Sequence, residues 1–314
     1  MKITEQQVVI APAERRFANF ERAAWAVLAY NVLVVLWGAL VRATGSGAGC
    51  GGHWPDCNGS VVPDLHATAT IIEYTHRLMS GAAIVAVCGM WLWSRGVFAR
   101  GHRARWWAGA AAVLLAIEAL LGAGLVLFDY VAHNASVGRA FYLAAHLANT
   151  ELLLAALTMT AWTATRTQAL SRAAMPGSLQ AALPLTVALS MTGALAALGD
   201  ALFPAASFTA GLAQEFAPAA HLLQRLRLSH PLVAVPISFF LLWAASSAVR
   251  ARPSRAVKRM AAAVALLALA QLAAGALNVA LAAPVWMQIV HLLLANLLWI
   301  ALVLLAANAA AVEE

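Results

Sequence analysis

The chain holds eight runs of about twenty or more mostly apolar residues, and this leaves few folds open. Each run is long enough to cross a hydrocarbon layer about 30 Å thick as a helix. They read roughly as 24–43, 68–94, 106–127, 139–164, 180–203, 218–248, 258–283 and 286–311. Hydrophobic residues make up 63% of the chain and charged ones 11%, whereas soluble domains carry about 25% charge. The aromatic residues lie within helix-length blocks, not in short alternating segments, which argues against an outer-membrane barrel. The expected class is an all-α integral membrane protein.

The formal charge of +7 is unevenly placed. Arg95, Arg100, Arg103 and Arg105 share one loop, Arg166 and Arg172 another, and Arg250, Arg252, Arg255, Lys258 and Arg259 a third. Lys2, Arg15, Arg16 and Arg22 precede the first run. Basic loops alternate with basic-poor ones, the positive-inside pattern. The charge therefore reports topology, and no nucleic-acid partner is expected. Both termini are predicted on the cytoplasmic side of a bacterial inner membrane. Loops 44–67, 128–138 and 204–217 and the Ala283-Pro284 turn are predicted on the other. Met1–Arg22 has no apolar h-region, so no cleavable signal peptide is expected.

The eight spans divide into two sets of four at the link 165–179. Glu118-Ala-Leu-Leu-Gly122 in the third span matches Gln271-Leu-Ala-Ala-Gly275 in the seventh. His146-Leu147 matches His291-Leu292, and Gly38-Ala39-Leu40 matches Gly193-Ala194-Leu195. Four helices per unit make the copies parallel. The reading is two pseudo-symmetric four-helix bundles, residues 1–172 and 173–314.

Four of the nine histidines lie at a matching level within spans: His76, His146, His230 and His291. His76 to Arg95, His146 to Arg166 and His230 to Arg250 cover 19, 20 and 20 residues, and His291 to Glu313 covers 22. At ~1.5 Å per residue, all four sit about 30 Å from the arginine-rich face. Paired imidazoles at one depth on two helices of a bundle are what bis-histidine haem ligation requires. A second candidate remains in the sixth span. His230 has the matching depth, while His221 keeps the 70-residue spacing to His291 that separates His76 from His146. Arg42, Arg77, Arg139, Arg225 and Arg227 lie near the histidine level and could pair with haem propionates.

Glu73 precedes His76 by three residues, so the two share a helix face. Carboxylates at membrane depth are costly and mark candidate functional positions. The second unit has no acid at that place, and Glu118 gives way to Gln271. This asymmetry suggests one reacting unit and one electron-transfer unit. Cys50 and Cys57 occupy a glycine-rich loop on the oxidising side, where a disulfide is expected, either as a staple or as a redox pair.

Gly38-Ala-Leu-Val-Arg-Ala-Thr-Gly-Ser-Gly47, the Cys50/Cys57 loop and Glu73-Tyr-Thr-His-Arg77 resemble the haem A synthase family. So do Leu198-Gly-Asp200 through Pro204 and Gly275 through His291. The resemblance spans nearly the whole chain. It implies oxidation of a haem O methyl to the formyl group of haem A, for terminal cytochrome oxidases. It implies that His76 and His146 hold the substrate haem, and that His291 holds a haem b. It also implies that Glu73 stands beside the reacting porphyrin and that Cys50 and Cys57 form the outer-loop pair. Haem O would come from a haem O synthase; the electron partner and any homo-oligomer stay open. Gln224-Arg225 departs from the expected His-Arg and puts the second haem b ligand in doubt; His230 is taken over its alternative His221, because ligand level is the physical requirement while loop lengths drift. Two other classes remain: a di-haem b quinol-oxidising cytochrome, and a repeat-built proton-coupled transporter.

Overall fold

A computed structural model describes residues 12–312. Lys2, Glu313 and the start of Met1–Arg22, used above, lie outside that range. In chain order the helices are α1 (Pro12–Ala43), α2 (Thr68–Val97), α3 (Arg103–Leu127), α4 (Val137–Thr163), α5 (Gly177–Leu202), α6 (Phe208–Phe216), α7 (Leu222–Ala251), α8 (Arg255–Ala280) and α9 (Val285–Ala310). All but α6 are long and apolar enough to cross a membrane. The protein is an all-α membrane protein with eight such helices among the described residues.

The predicted spans match these helices to within a few residues, with two departures. α1 starts at Pro12 rather than 24. Its added turns carry Glu14, Arg15, Arg16, Glu21 and Arg22, so the apolar run marks the membrane stretch and not the helix end. The predicted loop 204–217 contains α6, capped by the Ser207 side chain, which accepts from the Ala210 N–H. Nine residues are too few to register as an apolar run.

α1 packs on α2 and α4, and α3 packs on the same two, so α2 and α4 stand diagonally across a four-helix set. α5 packs on α7 and α9, and α8 packs on those two, which makes α7 and α9 the other diagonal. α4 and α9 are the most enclosed spans and, with α1 and α5, form the contact between the sets. Lipid offers no hydrophobic drive between helices, so close approach of small residues and interhelical hydrogen bonds carry the association. Trp37 donates to the Ile72 carbonyl and Tyr30 to that of Met79, joining α1 to α2. Trp299 donates to the Glu151 carbonyl, joining α9 to α4.

The link 165–179 does more than connect. Its strand β1 (Ala169–Leu170) pairs antiparallel with β2 (Ala311–Val312), directly after α9.

At the opposite end, Arg227 on α7 gathers the loop after α5. Its Nη1 donates to the Phe203 carbonyl at 3.0 Å and its Nη2 to Gln214 Oε1 at 3.1 Å. Its Nε lies 3.1 Å from Glu215 on α6, and its Nη1 lies 3.5 Å from Asp200 on α5. Burial pushes the Glu215 carboxyl upward, and Arg227 opposes that shift. Gly199 makes room, because a Cβ there would stand 2.6 Å from the Leu223 carbonyl. Removing one partner of a buried ion pair leaves the other charge uncompensated, at about 3 kcal/mol. Arg227→Met should therefore lower the thermal midpoint of the detergent-purified protein by several degrees, read by tryptophan fluorescence. An unchanged midpoint would show that this network holds nothing together.

Candidate functional site

Each intramembrane histidine faces a glycine on the neighbouring helix of its set. A Cβ at Gly38 on α1 would stand 3.0 Å from the His76 ring, and one at Gly193 on α5 would stand 3.1 Å from His230. At Gly275 on α8 the distance to His291 is 3.0 Å, and at Gly122 on α3 the distance to His146 is 3.9 Å. The four rings sit at similar places along their helices. His76 is eight residues after Thr68 and His230 eight after Leu222, with His146 nine after Val137 and His291 six after Val285.

His221 is in a different setting. It caps α7, its Nδ1 accepting from the Leu223 N–H at 3.2 Å and its own N–H held by Gln224 Oε1 at 2.7 Å. The side chain is exposed and is occupied in ending the helix. Gln224, the unexpected residue in the motif, is the other half of that capping box.

Several rings have a polar neighbour at one nitrogen. His146 Nδ1 lies 3.1 Å from Glu118 Oε1, and His230 Nδ1 lies 3.0 Å from Thr192 Oγ1. Gln271 Nε2 lies 3.2 Å from His291 Nε2. The Nδ1 atoms of His76 and His291 are buried without a partner. A metal-bound imidazole needs an orienting partner on its second nitrogen, and Glu118 and Thr192 leave Nε2 free on their rings. The His230 and His291 ring centres are 6.3 Å apart and nearly perpendicular, at 85°. Two imidazoles gripping one iron through bonds of about 2 Å have ring centres roughly 6 Å apart. The spacing of His230 and His291 therefore fits a haem iron in the second set. Sequence reasoning noted Glu118 and Gln271 only as an asymmetry; their place one helix over from His146 and His291 was the available signal. Thr192 gave no such signal.

Glu73 is buried and held from two sides. Its Oε2 accepts from the Cys50 N–H at 2.9 Å, and its Oε1 pairs with Arg77 Nη2 at 2.5 Å. Arg77 also donates to the His53 carbonyl at 2.7 Å and to that of Asp56. Cys50 and Cys57 are joined by a disulfide. Gly49 lets this loop lie on the start of α2, where a Cβ would come within 2.4 Å of the Ala69 backbone. Thr70 fixes it by donating to the Gly49 carbonyl at 2.7 Å.

The arginines divide. Arg77 and Arg227 are engaged as described, and Arg225 donates to the carbonyls of Ala217 and Pro218. Arg139 holds the carbonyls of Ala132 and Asn134. Arg42 reaches Gln288 on α9 at 3.4 Å, and its Nη1 is buried with no partner. His102, in the Arg-rich loop, caps α3 through Nδ1 and stacks on Phe98, and burial lowers its pKa.

A family model described as COX15-CtaA, cytochrome oxidase assembly protein, matches residues 21–303. The chain belongs to the COX15-CtaA family, the haem A synthase family. It is 48% identical over 301 residues to a protein of Thermus thermophilus named protoheme IX farnesyltransferase. That match covers 95% of this chain but 49% of the relative, so the chain spans about half its length. It is 44% identical over 99 residues to the heme A synthase of Alkalihalophilus pseudofirmus, covering 31% of this chain and 33% of that protein. The heme A synthase of Halalkalibacterium halodurans is 42% identical over 99 residues, covering 31% of this chain and 33% of that protein.

The glycine contacts make a graded prediction. At 3.0–3.1 Å a methyl displaces the ring, whereas 3.9 Å is ordinary contact. Alanine at Gly38, Gly193 or Gly275 should lower the haem content of the purified protein several-fold, and Gly122→Ala should leave it near wild type. Equal haem in all four variants would rule out a ligand role for these rings.

Proposed function

We propose that the protein is a haem A synthase, oxidising a ring methyl of haem O to a formyl group. The observation that carries this is the pairing of His230 with His291 and the glycine of the next helix against each of the four intramembrane imidazoles. Family membership and the heme A synthase relatives support it. On this reading residues 1–172 hold the substrate and residues 173–314 hold a haem b.

The bound haems supply the redox chemistry that removes electrons from the methyl carbon. The chain's residues do the rest. His76 and His146 grip the substrate, with Glu118 orienting the His146 ring. His230 and His291 grip haem b, with Thr192 orienting His230, and His221 is left to its capping role. Glu73 takes a proton near the reacting methyl or holds the attacking oxygen. The Cys50 N–H and Arg77 fix its carboxylate and prevent it from turning away. Arg42 offers its unpartnered Nη1 to a propionate. Arg77, Arg225 and Arg227 already bond loop carbonyls and side chains. The apolar spans keep bulk water from the site.

The haem layer lies toward the outer face of a bacterial cytoplasmic membrane, with the arginine loops and both termini inside. The Thermus relative is named for a step that farnesylates protohaem IX. We read that step as belonging to the part of the relative beyond the match. Haem O supply and haem O use would then be neighbours.

Pigment extraction with an absorption spectrum tests the assignment. Haem b together with haem O or haem A is expected. Haem b alone points to an electron-transfer cytochrome, and a colourless protein to a transporter. His230→Ala should remove the low-spin haem b signal while His221→Ala keeps it; the reverse pattern would move the ligand to His221. Glu73→Gln should retain haem O yet cut haem A formation at least a hundredfold, the usual scale for a positioned acid–base group. Wild-type haem A output from that variant would remove Glu73 from the chemistry.

A further inference from the structure

Below the histidines lies a second polar layer that the proposed reaction does not use. Glu151 on α4 is five residues past His146, and Asn296 on α9 is five residues past His291. α4 and α9 pack against each other between the two sets, so the two equivalent polar side chains lie on one packed helix pair. Trp299 fixes the register by donating to the Glu151 carbonyl at 2.7 Å.

Both side chains are sealed in. Glu151 is 2% exposed and Asn296 is fully buried. Ser190 on α5 donates to Glu151 Oε1 at 2.9 Å. Glu151 Oε2, Asn296 Oδ1 and Asn296 Nδ2 are buried without any hydrogen-bond partner. Three unmet polar atoms on facing helices are the setting in which a buried water is held, since a water needs two to four polar partners. Left dry, each would carry the full desolvation penalty of an unsatisfied group.

No cation compensates the carboxyl. Besides Glu151, α4 carries only His146 and Arg139, both toward its start; α9 carries only His291 and α5 only Asp200, ten residues from Ser190. The charged residues of α1 (Glu14, Arg15, Arg16, Glu21, Arg22 and Arg42) lie near its ends, Tyr30 donates to the Met79 carbonyl on α2, and Asn31 bonds within its own helix. On α3, Glu118 is taken up by His146, Asn149 and Thr150. A lone carboxylate in such a place is far costlier than the neutral acid.

We propose that Glu151, Asn296 and Ser190 form a water-binding proton site between the two sets, in which Glu151 is a protonated acid that exchanges its proton with the bound water. As the carboxyl proton moves to the water oxygen, the water returns one of its own protons to the other carboxyl oxygen, so acid and water both end neutral; no electron moves and no bond to carbon changes. The site lies on the two helices that carry His146 and His291, about 7.5 Å further along each at ~1.5 Å per residue. The acid can therefore hand a proton on and then accept a replacement, between the two histidine pairs. The buried polar atoms stand whatever the histidines bind.

Difference infrared spectroscopy on the full-length protein in lipid nanodiscs tests it. At neutral pH the wild type should show a protonated-carboxyl band that is lost in Glu151→Gln and shifts in D2O. Asn296→Leu, which keeps the acid and removes its water partner, should move the band without abolishing it. It also carries the test should Glu151→Gln fail to accumulate. No band lost in Glu151→Gln, no shift in D2O, or no displacement in Asn296→Leu overturns the site. Haem A yield should fall about tenfold in Glu151→Gln at unchanged haem content. Unchanged yield with the band lost overturns the proton-accepting role. Absence of haem A from the wild type instead counts against the synthase reading and leaves the infrared result standing.

Discussion

Hydrocarbon gives a polar side chain nothing to bond with, so each one inside these spans needs a partner within the protein. That requirement explains most of the helix contacts. Asn149 spans α4 to α3 by donating to the Leu114 carbonyl and to Glu118. Ser190 spans α5 to α4, and Trp299 spans α9 to α4. The four histidines are the costliest case, because an imidazole has two nitrogens and a bulky ring. A glycine opposite each ring gives it space, and a polar neighbour on three of them addresses one nitrogen.

The same rule separates residues that look alike in sequence. Arg42, Arg77, Arg225 and Arg227 all lie near the histidine level. Arg77, Arg225 and Arg227 turn out to hold backbone carbonyls or carboxylates of nearby loops. Glu73, expected beside a porphyrin, is also the post to which the disulfide loop is tied. A fixed carboxylate and a structural one are compatible here, since the contacts that hold it also orient it. The differences between the two sets recur as acid against amide: Glu118 against Gln271, and Glu151 against Asn296. In both cases the first set keeps the group that can carry a proton.

Much of this was legible in the sequence. Apolar runs located eight helices, and counting residues to the arginine loops put four histidines at one depth, because helical rise is constant. The choice between His230 and His221 was not legible, since spacing and depth disagreed. The structure puts His221 at the cap of α7 and His230 against Gly193. α6 was hidden because a nine-residue surface helix leaves no long apolar run. The partner of each arginine depends on loop backbone, which no periodicity reports.

The short ribbon joining 169–170 to 311–312 has a consequence for biosynthesis. Its first strand is made before α5, and its second follows α9. Until that helix is threaded, the linker's amides and carbonyls have no mate in the protein. The junction between the two sets is thus closed only after α9 is made, when 311–312 pair with a strand made five helices earlier.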